Sequence, residues 1–442
     1  MQESQKQIEQ VLINLGLKEL NEMQQAVLNA EAGRDLLLRA PTGSGKTLAF
    51  LLPLLQSLKP DIRETQAMII VPSRELAQQI ESVWRKMATG YKVTCCYGGH
   101  KRETEENSLI ESPALIIGTA GRLADHIRRE NITVATIKVL VIDEFDKSLD
   151  LGFEAEMEAI IKSLTGLEQR ILTSATDAAE IPAFVGIEDP LKFNFEAPPQ
   201  EEGYGLAIQV LHSREKDKLD TLFELICQLG ARPTIIFCNH RETVKRTSDA
   251  LYERGIQNEF YHGAMEQQER DAALCKFRNG STYFLVTTDL AARGLDIPHI
   301  RYIIHYHLPL TEDAFTHRNG RTARVDRSGT AILIIGPEEK VPDYIPEEDL
   351  TTIHLNGTHS LPEQADWTTL FVAAGKKDKV NKVDIVGFLA QKGGLKKEDI
   401  GLIEVKDHFS FVAIRKSCTA NTLQAVSQEK LKGKKIKIEI AR

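Results

Sequence analysis

Lys46 and Thr47 stand directly behind two glycines in the run Ala40-Pro41-Thr42-Gly43-Ser44-Gly45-Lys46-Thr47. An ammonium and a hydroxyl at this spacing suit a phosphate chain. Gly43 and Gly45 let the backbone turn N–H groups inward with no Cβ in the way. Lys46 is placed to reach β- and γ-phosphates, and Thr47 to hold Mg²⁺. Where such a loop carries its first glycine, this chain has Ala40. A second reactive group is Asp143-Glu144-Phe145-Asp146. One carboxylate, Asp143, can hold the Mg²⁺ shell while its neighbour, Glu144, orients and deprotonates an attacking water.

Both groups sit where an α/β fold would present them. Leu36-Leu37-Leu38 reads as a short buried strand before the glycine loop, and Leu48 to Leu52 as the opening of a helix after it. Val139 to Ile142 reads as a strand that ends at Asp143, and carboxyl ends of buried strands face the crevice in which such folds bind ligands. Further strand candidates are 67–71, 114–117 and 170–173, with an amphipathic helix over 73–87. This alternation implies a parallel sheet covered by helices on both faces. The proline-, glycine- and acid-rich stretch 195–205 interrupts it. It then resumes with strand candidates at 234–237, 283–286, 302–305 and 331–335 and helices near 241–254 and 266–278, this time without a phosphate loop. Residues 336–366 are acidic and punctuated by proline. The last segment reads strand 369–373, helix 383–389, strand pair 401–406 and 409–414, helix 422–429 and strand 435–440, the β-α-β-β-α-β order of many small RNA-binding folds.

The 442 residues are enough for two or three domains, and the composition is that of an ordinary globular protein. Six dispersed cysteines form no C-x-x-C pair, which points to buried reduced thiols rather than a zinc site or disulfides. The start, MQESQKQIEQ, lacks a signal-peptide core, and no apolar run could span a bilayer, so a cytoplasmic protein without membrane contact is expected. Net charge is −8, but residues 367–442 hold 16 Lys+Arg against 8 Asp+Glu, leaving 39 against 55 in the rest. That asymmetry describes an acidic body with a basic module attached.

With Ser174-Ala175-Thr176 after the next strand candidate, the chain resembles a DEAD-box RNA helicase of superfamily two. Phe145 stands where that family has alanine. Gly16 to Gln24 resembles the adenine-reading motif, with Leu20 for its proline and Gln24 as the reader. Pro72-Ser73-Arg74-Glu75-Leu76, Gly98-Gly99 and Thr119-Ala120-Gly121-Arg122 resemble RNA-contacting motifs, in which small residues admit phosphates to backbone N–H groups and Arg74 and Arg122 offer charge. In the second block, His262-Gly263 with Gln267 and Arg270 matches an RNA-side pattern. Thr288-Asp289 through Asp296 matches the motif joining RNA to nucleotide, with Asp296 expected at the ribose. His317 to Arg324 matches the arginine-finger motif, with Arg321 and Arg324 reaching the γ-phosphate and with Asn319 and Ala323 in place of isoleucine and glycine. Asp146, Ser174, Thr176 and His317 fall at the positions that couple ATP to RNA in this family.

The tail resembles the C-terminal domain of DbpA-like helicases through 370–377, 399–401 and 408–414; in that family this RRM-like domain targets large-subunit ribosomal RNA. A similar tail occurs in cold-shock DeaD-type helicases. Phe409 and Phe411 share one strand face, and either stack bases or belong to the core. The resemblance implies an α/β protein with two RecA-like parallel-sheet domains of the P-loop NTPase kind, residues 1–197 and 206–345, joined by 198–205. A linker at 346–366 leads to a small α+β RRM-like domain at 367–442. It further implies a monomeric RNA helicase that uses ATP and Mg²⁺ on large-subunit ribosomal RNA or pre-ribosomal particles, the loop residues Ala40 to Thr47 holding the nucleotide and Arg74, Gly99, Thr119, Arg122, Gly263, Arg270 and Thr288 facing RNA. The rival readings are a DNA helicase and an RNA-binding chaperone or scaffold that has lost hydrolysis.

Overall fold

The computed structural model describes residues 2–41, 43–99, 102–174, 181–195, 206–289, 297, 300–320, 322, 329–357 and 360–441. Contacts divide the chain near residue 200 into an N-terminal unit and a second unit that holds both the second sheet and the tail.

The first sheet contains β1 (Leu36–Arg39), β2 (Ala67–Val71), β3 (Val93–Cys96), β4 (Leu115–Thr119), β5 (Val139–Ile142), β6 (Gln169–Ser174) and β7 (Leu191–Asn194), ordered β3-β4-β2-β5-β6-β1-β7 and parallel throughout. Its central strands are apolar on both faces. Leu36, Leu38, Ile69, Val71, Val139 and Val141 join one core layer, while Leu37, Met68, Ile70, Leu140 and Ile142 join the other. Helices cover both layers, so alternation of polarity is lost and the strands read as continuous apolar runs. The edge strand β7 alternates half-buried and exposed residues, and this stretch carried no strand signal of that kind.

The second sheet contains β8 (Leu206–His212), β9 (Thr234–Phe237), β10 (Glu259–Tyr261), β11 (Phe284–Thr287), β12 (Tyr302–His305), β13 (Gly329–Ile335) and β14 (Leu350–Thr352). Its order, β10-β11-β9-β12-β13-β8-β14, repeats the first sheet strand for strand. β14 pairs with β8 inside the stretch read from sequence as a tether, so the second block runs on past residue 345.

The tail forms an antiparallel sheet from β15 (Trp367–Val372), β16 (Ile400–Val405), β17 (Ser410–Arg415) and β20 (Ile438–Ile440), ordered β16-β17-β15-β20, with a small hairpin β18 (Lys430–Leu431) and β19 (Lys434–Lys435) before the last strand. Helices Lys382–Gln391 and Thr419–Val426 cover one face, where Leu370, Val372, Ile385, Leu389, Val412 and Ile414 make the core. The other face presents Phe371, Phe409 and Phe411, with ring centroids 5.4–5.9 Å apart. These rings pack on Ala272 and Cys275 of helix Gln267–Arg278 in the second block. Polar contacts rim the joint: Asn279 Nδ2 donates to Thr369 Oγ1 at 2.8 Å, Lys406 pairs with Asp271 at 3.2 Å and Arg278 with Glu404 at 3.5 Å. Burial pulls the Lys406 ammonium down, but Asp271 and Glu404 outweigh it and hold the group above its ordinary value. Among the described residues no helix is long and apolar enough to cross a membrane.

Candidate active site

Because every strand of the first sheet runs the same way, all its carboxyl ends lie along one edge, and each chemistry-bearing group follows a strand there. Ala40 follows β1, Arg74 follows β2, Thr119 ends β4, Asp143 follows β5 and Ser174 ends β6. Register does the fine placement. Ile142 pairs with Leu172, which sets Asp143 level with Thr173. The Thr173 hydroxyl donates to Asp143 Oδ1, and the Glu144 N–H donates to both that oxygen and Thr173 Oγ1 at 3.1 Å. Thr173 was not singled out from sequence, because its role depends on a neighbouring strand.

The phosphate loop is built as its glycines require. Gly43 and Gly45 have φ of 85° and 94°, in the left-handed region. A Cβ on Gly45 would also lie 2.6 Å from Gln24 Nε2. Gln24 donates to the Gly45 carbonyl at 3.3 Å, and Asn21 donates to the Ser44 carbonyl at 2.9 Å. Asn21 and Gln24 also form a capping box for helix Glu22–Leu28, so one local motif both starts that helix and braces the loop. Ser44 Oγ donates to the Pro41 carbonyl at 2.8 Å. Lys46 opens helix Lys46–Ser57 with Thr47 behind it, and its ammonium donates to the Ala40 and Pro41 carbonyls. Burial holds Lys46 below its ordinary value, although Asp143 and Glu144 pull the other way. Asp143 is pushed up to about 6, by burial first and by the neighbouring Glu144 charge second.

Glu144 sits in the left-handed region, φ 50° and ψ 51°, at the cap of helix Phe145–Asp150. Asp146 and Ser174 are both buried beside it in sequence and strand order. Three departures from the family pattern have structural reasons. Phe145 is 1% exposed and fills the core layer below the turn that carries Asp143 and Glu144. Leu20 joins the core of the same unit. Asn319 Oδ1 accepts from His305 Nε2 at 3.0 Å, so the side-chain oxygen is matched by a partner, while among the described residues its buried Nδ2 finds none.

On the RNA-expected side, Arg74 follows the Ser73 cap, and its guanidinium lies on Gly98 and Gly99: a Cβ on Gly99 would come within 2.2 Å of Arg74 Nη1. The glycines therefore seat an arginine as well as leaving backbone open. Thr119 caps helix Ala120–Arg128, which carries Arg122. Arg122 lies 3.4 Å from buried Glu105, which also meets His126 Nε2 at 2.7 Å and the Tyr97 N–H at 2.8 Å. In the second block, Gly263 faces open space and Thr288 follows β11 half-buried. Two of the expected RNA-side groups are packed against protein in this structure. Arg270 is only 7% exposed and donates to the Tyr261 hydroxyl at 2.8 Å, so in this structure its fork is held against the second block's own core. Phe411 is 1% exposed and Phe409 half-buried, because the second block covers their sheet face; base stacking there would require the joint to open.

Helix Glu312–Asn319 carries His317, which is buried, and Arg318. Arg318 binds Asp289 at 2.7 Å, Asn239 at 2.8 Å and the His307 carbonyl at 2.7 Å, tying the end of β11 to the helix that leads toward residue 321. Thr42, Thr176, Asp296, Arg321 and Arg324 lie outside the described residues.

Residues 21–183 match the DEAD/DEAH box helicase family, 217–326 the helicase conserved C-terminal domain, and 369–440 the DbpA RNA binding domain. The chain is 34% identical to the ATP-dependent RNA helicase DbpA of Escherichia coli, over 97% of this chain and 96% of that one. It is 31% identical to the protein of the same name from Bacillus subtilis, with the same coverage. Among solved structures, S. cerevisiae Dbp5 bound to RNA and ADP BeF3 superposes with a TM-score of 0.66 at 26% identity, over 75% of this chain and 88% of that one.

Proposed function

The chain belongs to the DEAD-box ATP-dependent RNA helicases of the DbpA type, and from that premise we propose that it remodels short duplexes in large-subunit ribosomal RNA during ribosome assembly. The observation that carries the hydrolytic part is the buried Asp143-Glu144 pair at the end of β5, facing the same sheet edge as Lys46. Lys46 turns from the loop carbonyls to the phosphates when nucleotide enters, and Gln24 reads the adenine. Glu144 accepts the proton of the attacking water. Among the described residues its Oε2 is buried without a hydrogen bond, an acceptor held in reserve.

Mg²⁺ fits the donor chemistry. Hard oxygens from Asp143 and Thr47 suit it, and a bound cation would offset what raises Asp143, burial first and the Glu144 charge second. Asp143, partly through water, and Thr47 would hold the ion, which neutralises phosphate charge when bound. On the family pattern Arg321 and Arg324 meet the γ-phosphate and Asp296 the ribose.

The tail supplies the target. With its aromatic face covered, the contact surface is a lysine rim. Lys432 donates to the Lys379 carbonyl and Lys434 pairs with Asp378 at 3.3 Å, which brings hairpin β18–β19 beside the turn at 376–379. Lys376, Lys377, Lys379, Lys432, Lys434 and Lys435 are all exposed along this rim. Such a rim binds phosphates with an affinity that falls as salt rises. The protein acts as a monomer in this reading.

The test is Glu144→Gln. Nucleotide binding persists, while RNA-stimulated hydrolysis falls by roughly 10²–10⁴, the range for loss of a general base. Turnover at the parent rate refutes the assignment. Stimulation by DNA equal to that by RNA of the same length refutes the substrate class.

A further inference from the structure

Lys147 is 1% exposed, yet among the described residues its ammonium makes no hydrogen bond. Glu144 Oε2 lies 3.8 Å away and, among the described residues, is itself buried without a hydrogen-bond partner. Two buried, oppositely charged atoms thus face each other at ion-pair distance, and among the described residues neither has a hydrogen-bond partner. A buried ammonium in this condition destabilises a fold unless its partner compensates, and an apolar side chain of equal length would serve packing better. Stability therefore does not account for a lysine here.

Geometry supplies another account. Glu144 is the left-handed cap residue of helix Phe145–Asp150, and the Lys147 N–H donates to the Glu144 carbonyl at 3.0 Å. Lys147 is thereby fixed one turn beyond Glu144, with its charge returned to the Glu144 carboxylate. Asp143 has its own anchor in Thr173, and Lys46 has the loop carbonyls. Glu144 has Lys147 alone among the interactions shown for its Oε2.

We propose that Lys147 is a positioning residue for hydrolysis: its buried charge aims the Glu144 carboxylate at the attacking water. The inference rests on Glu144 being the base. Lys147 touches neither nucleotide nor water in this scheme; it restrains the group that does. Lys46 and any bound cation deal with phosphate charge, whereas Lys147 stays with Glu144 through the cycle.

The test is a double-mutant cycle in the full chain, pairing Lys147→Met with Glu144→Gln. Methionine keeps the stem and removes the charge. Single-turnover hydrolysis with saturating RNA, ATP affinity by titration and thermal melting are measured for all four proteins. Lys147→Met alone should slow hydrolysis by about 10- to 100-fold, the scale of a slightly misplaced group. ATP affinity should stay within about twofold. The melting temperature should hold or rise. In the Glu144→Gln background, Lys147→Met should cost nothing further. Lys147→Arg, which restores a cation, should recover part of the rate.

Unchanged hydrolysis in Lys147→Met overturns the proposal. So does an equal loss in the Glu144→Gln background, and so does a lowered melting temperature, which would make the lysine structural. Parent-like turnover in Glu144→Gln alone refutes the base assignment instead, and the two failures are distinct.

Discussion

Ala272 offers a clean way to break the joint between the tail and the second block. It is 4% exposed on helix Gln267–Arg278, under Phe371, Phe409 and Phe411. If each ring buries roughly half of its 150–250 Å² in the joint, the three gain about 6–9 kcal/mol at roughly 25 cal/mol per Å², before the cost of ordering the tail. Ala272→Arg places a guanidinium in this apolar contact. Overpacking costs about 1–3 kcal/mol and burial of an unpaired charge several more. The sum consumes most of the gain, so the tail should spend most of its time undocked. The two tryptophans make this measurable. Trp367 lies against the joint, with a ring carbon 3.8 Å from where a Cβ on Gly280 would sit, while Trp84 is buried in the N-terminal unit and gives a constant background. Collisional quenching of Trp367 should rise in Ala272→Arg, and protease cleavage within 353–366 should quicken. Hydrolysis stimulated by saturating generic RNA should remain. If quenching and cleavage both match the parent, the aromatic contact is not what orders the tail.

Charge reversal of the lysine rim (Lys376→Glu, Lys377→Glu and Lys434→Glu together) should raise the concentration of ribosomal RNA needed for half-maximal ATPase by at least about tenfold and flatten its salt dependence by up to about three phosphate contacts; equal curves with parent and variant would move the RNA surface elsewhere on the tail. A pH effect is expected in the second unit. His305 is held down to about 3, by burial first and the Arg318 charge second, so the folded state binds fewer protons than the unfolded one below pH 6.5. The stability it contributes is complete above about pH 6.5 and is lost as pH falls toward 3, amounting to about 1.4 kcal/mol by pH 5.5. His307, pushed down to about 4 mainly by burial, acts in the same direction. Urea unfolding followed through Trp367 at pH 7.5 and 5.5 checks this; a His305→Asn chain with the same pH dependence as the parent would show that the titrating group is another.

Much of the shape of the candidate nucleotide loop was legible because its logic is local. A strand, two glycines, a lysine and a threonine are consecutive, and their conformations follow from residue type: Gly45 must accept φ 94° whatever surrounds it. The apolar strands 67–71, 139–142, 234–237 and 302–305 were likewise fixed by runs buried on both faces. Edge strands such as β7, β10 and β14 were not visible, since three or four residues half in solvent carry no distinctive pattern. Side-chain direction was decided only by tertiary contact. Alternation placed Phe409 and Phe411 on one face of a strand, but only the helix at 267–278 determined that this face is covered. Only the fold packs Arg270 against Tyr261, and only the register of β5 against β6 brings Thr173 to Asp143. Lys147 was not singled out from sequence. Its burial against Glu144 depends on how that helix is rolled onto the core by Phe145, and the energy of packing a large ring across many neighbours is not encoded in any window of sequence around it.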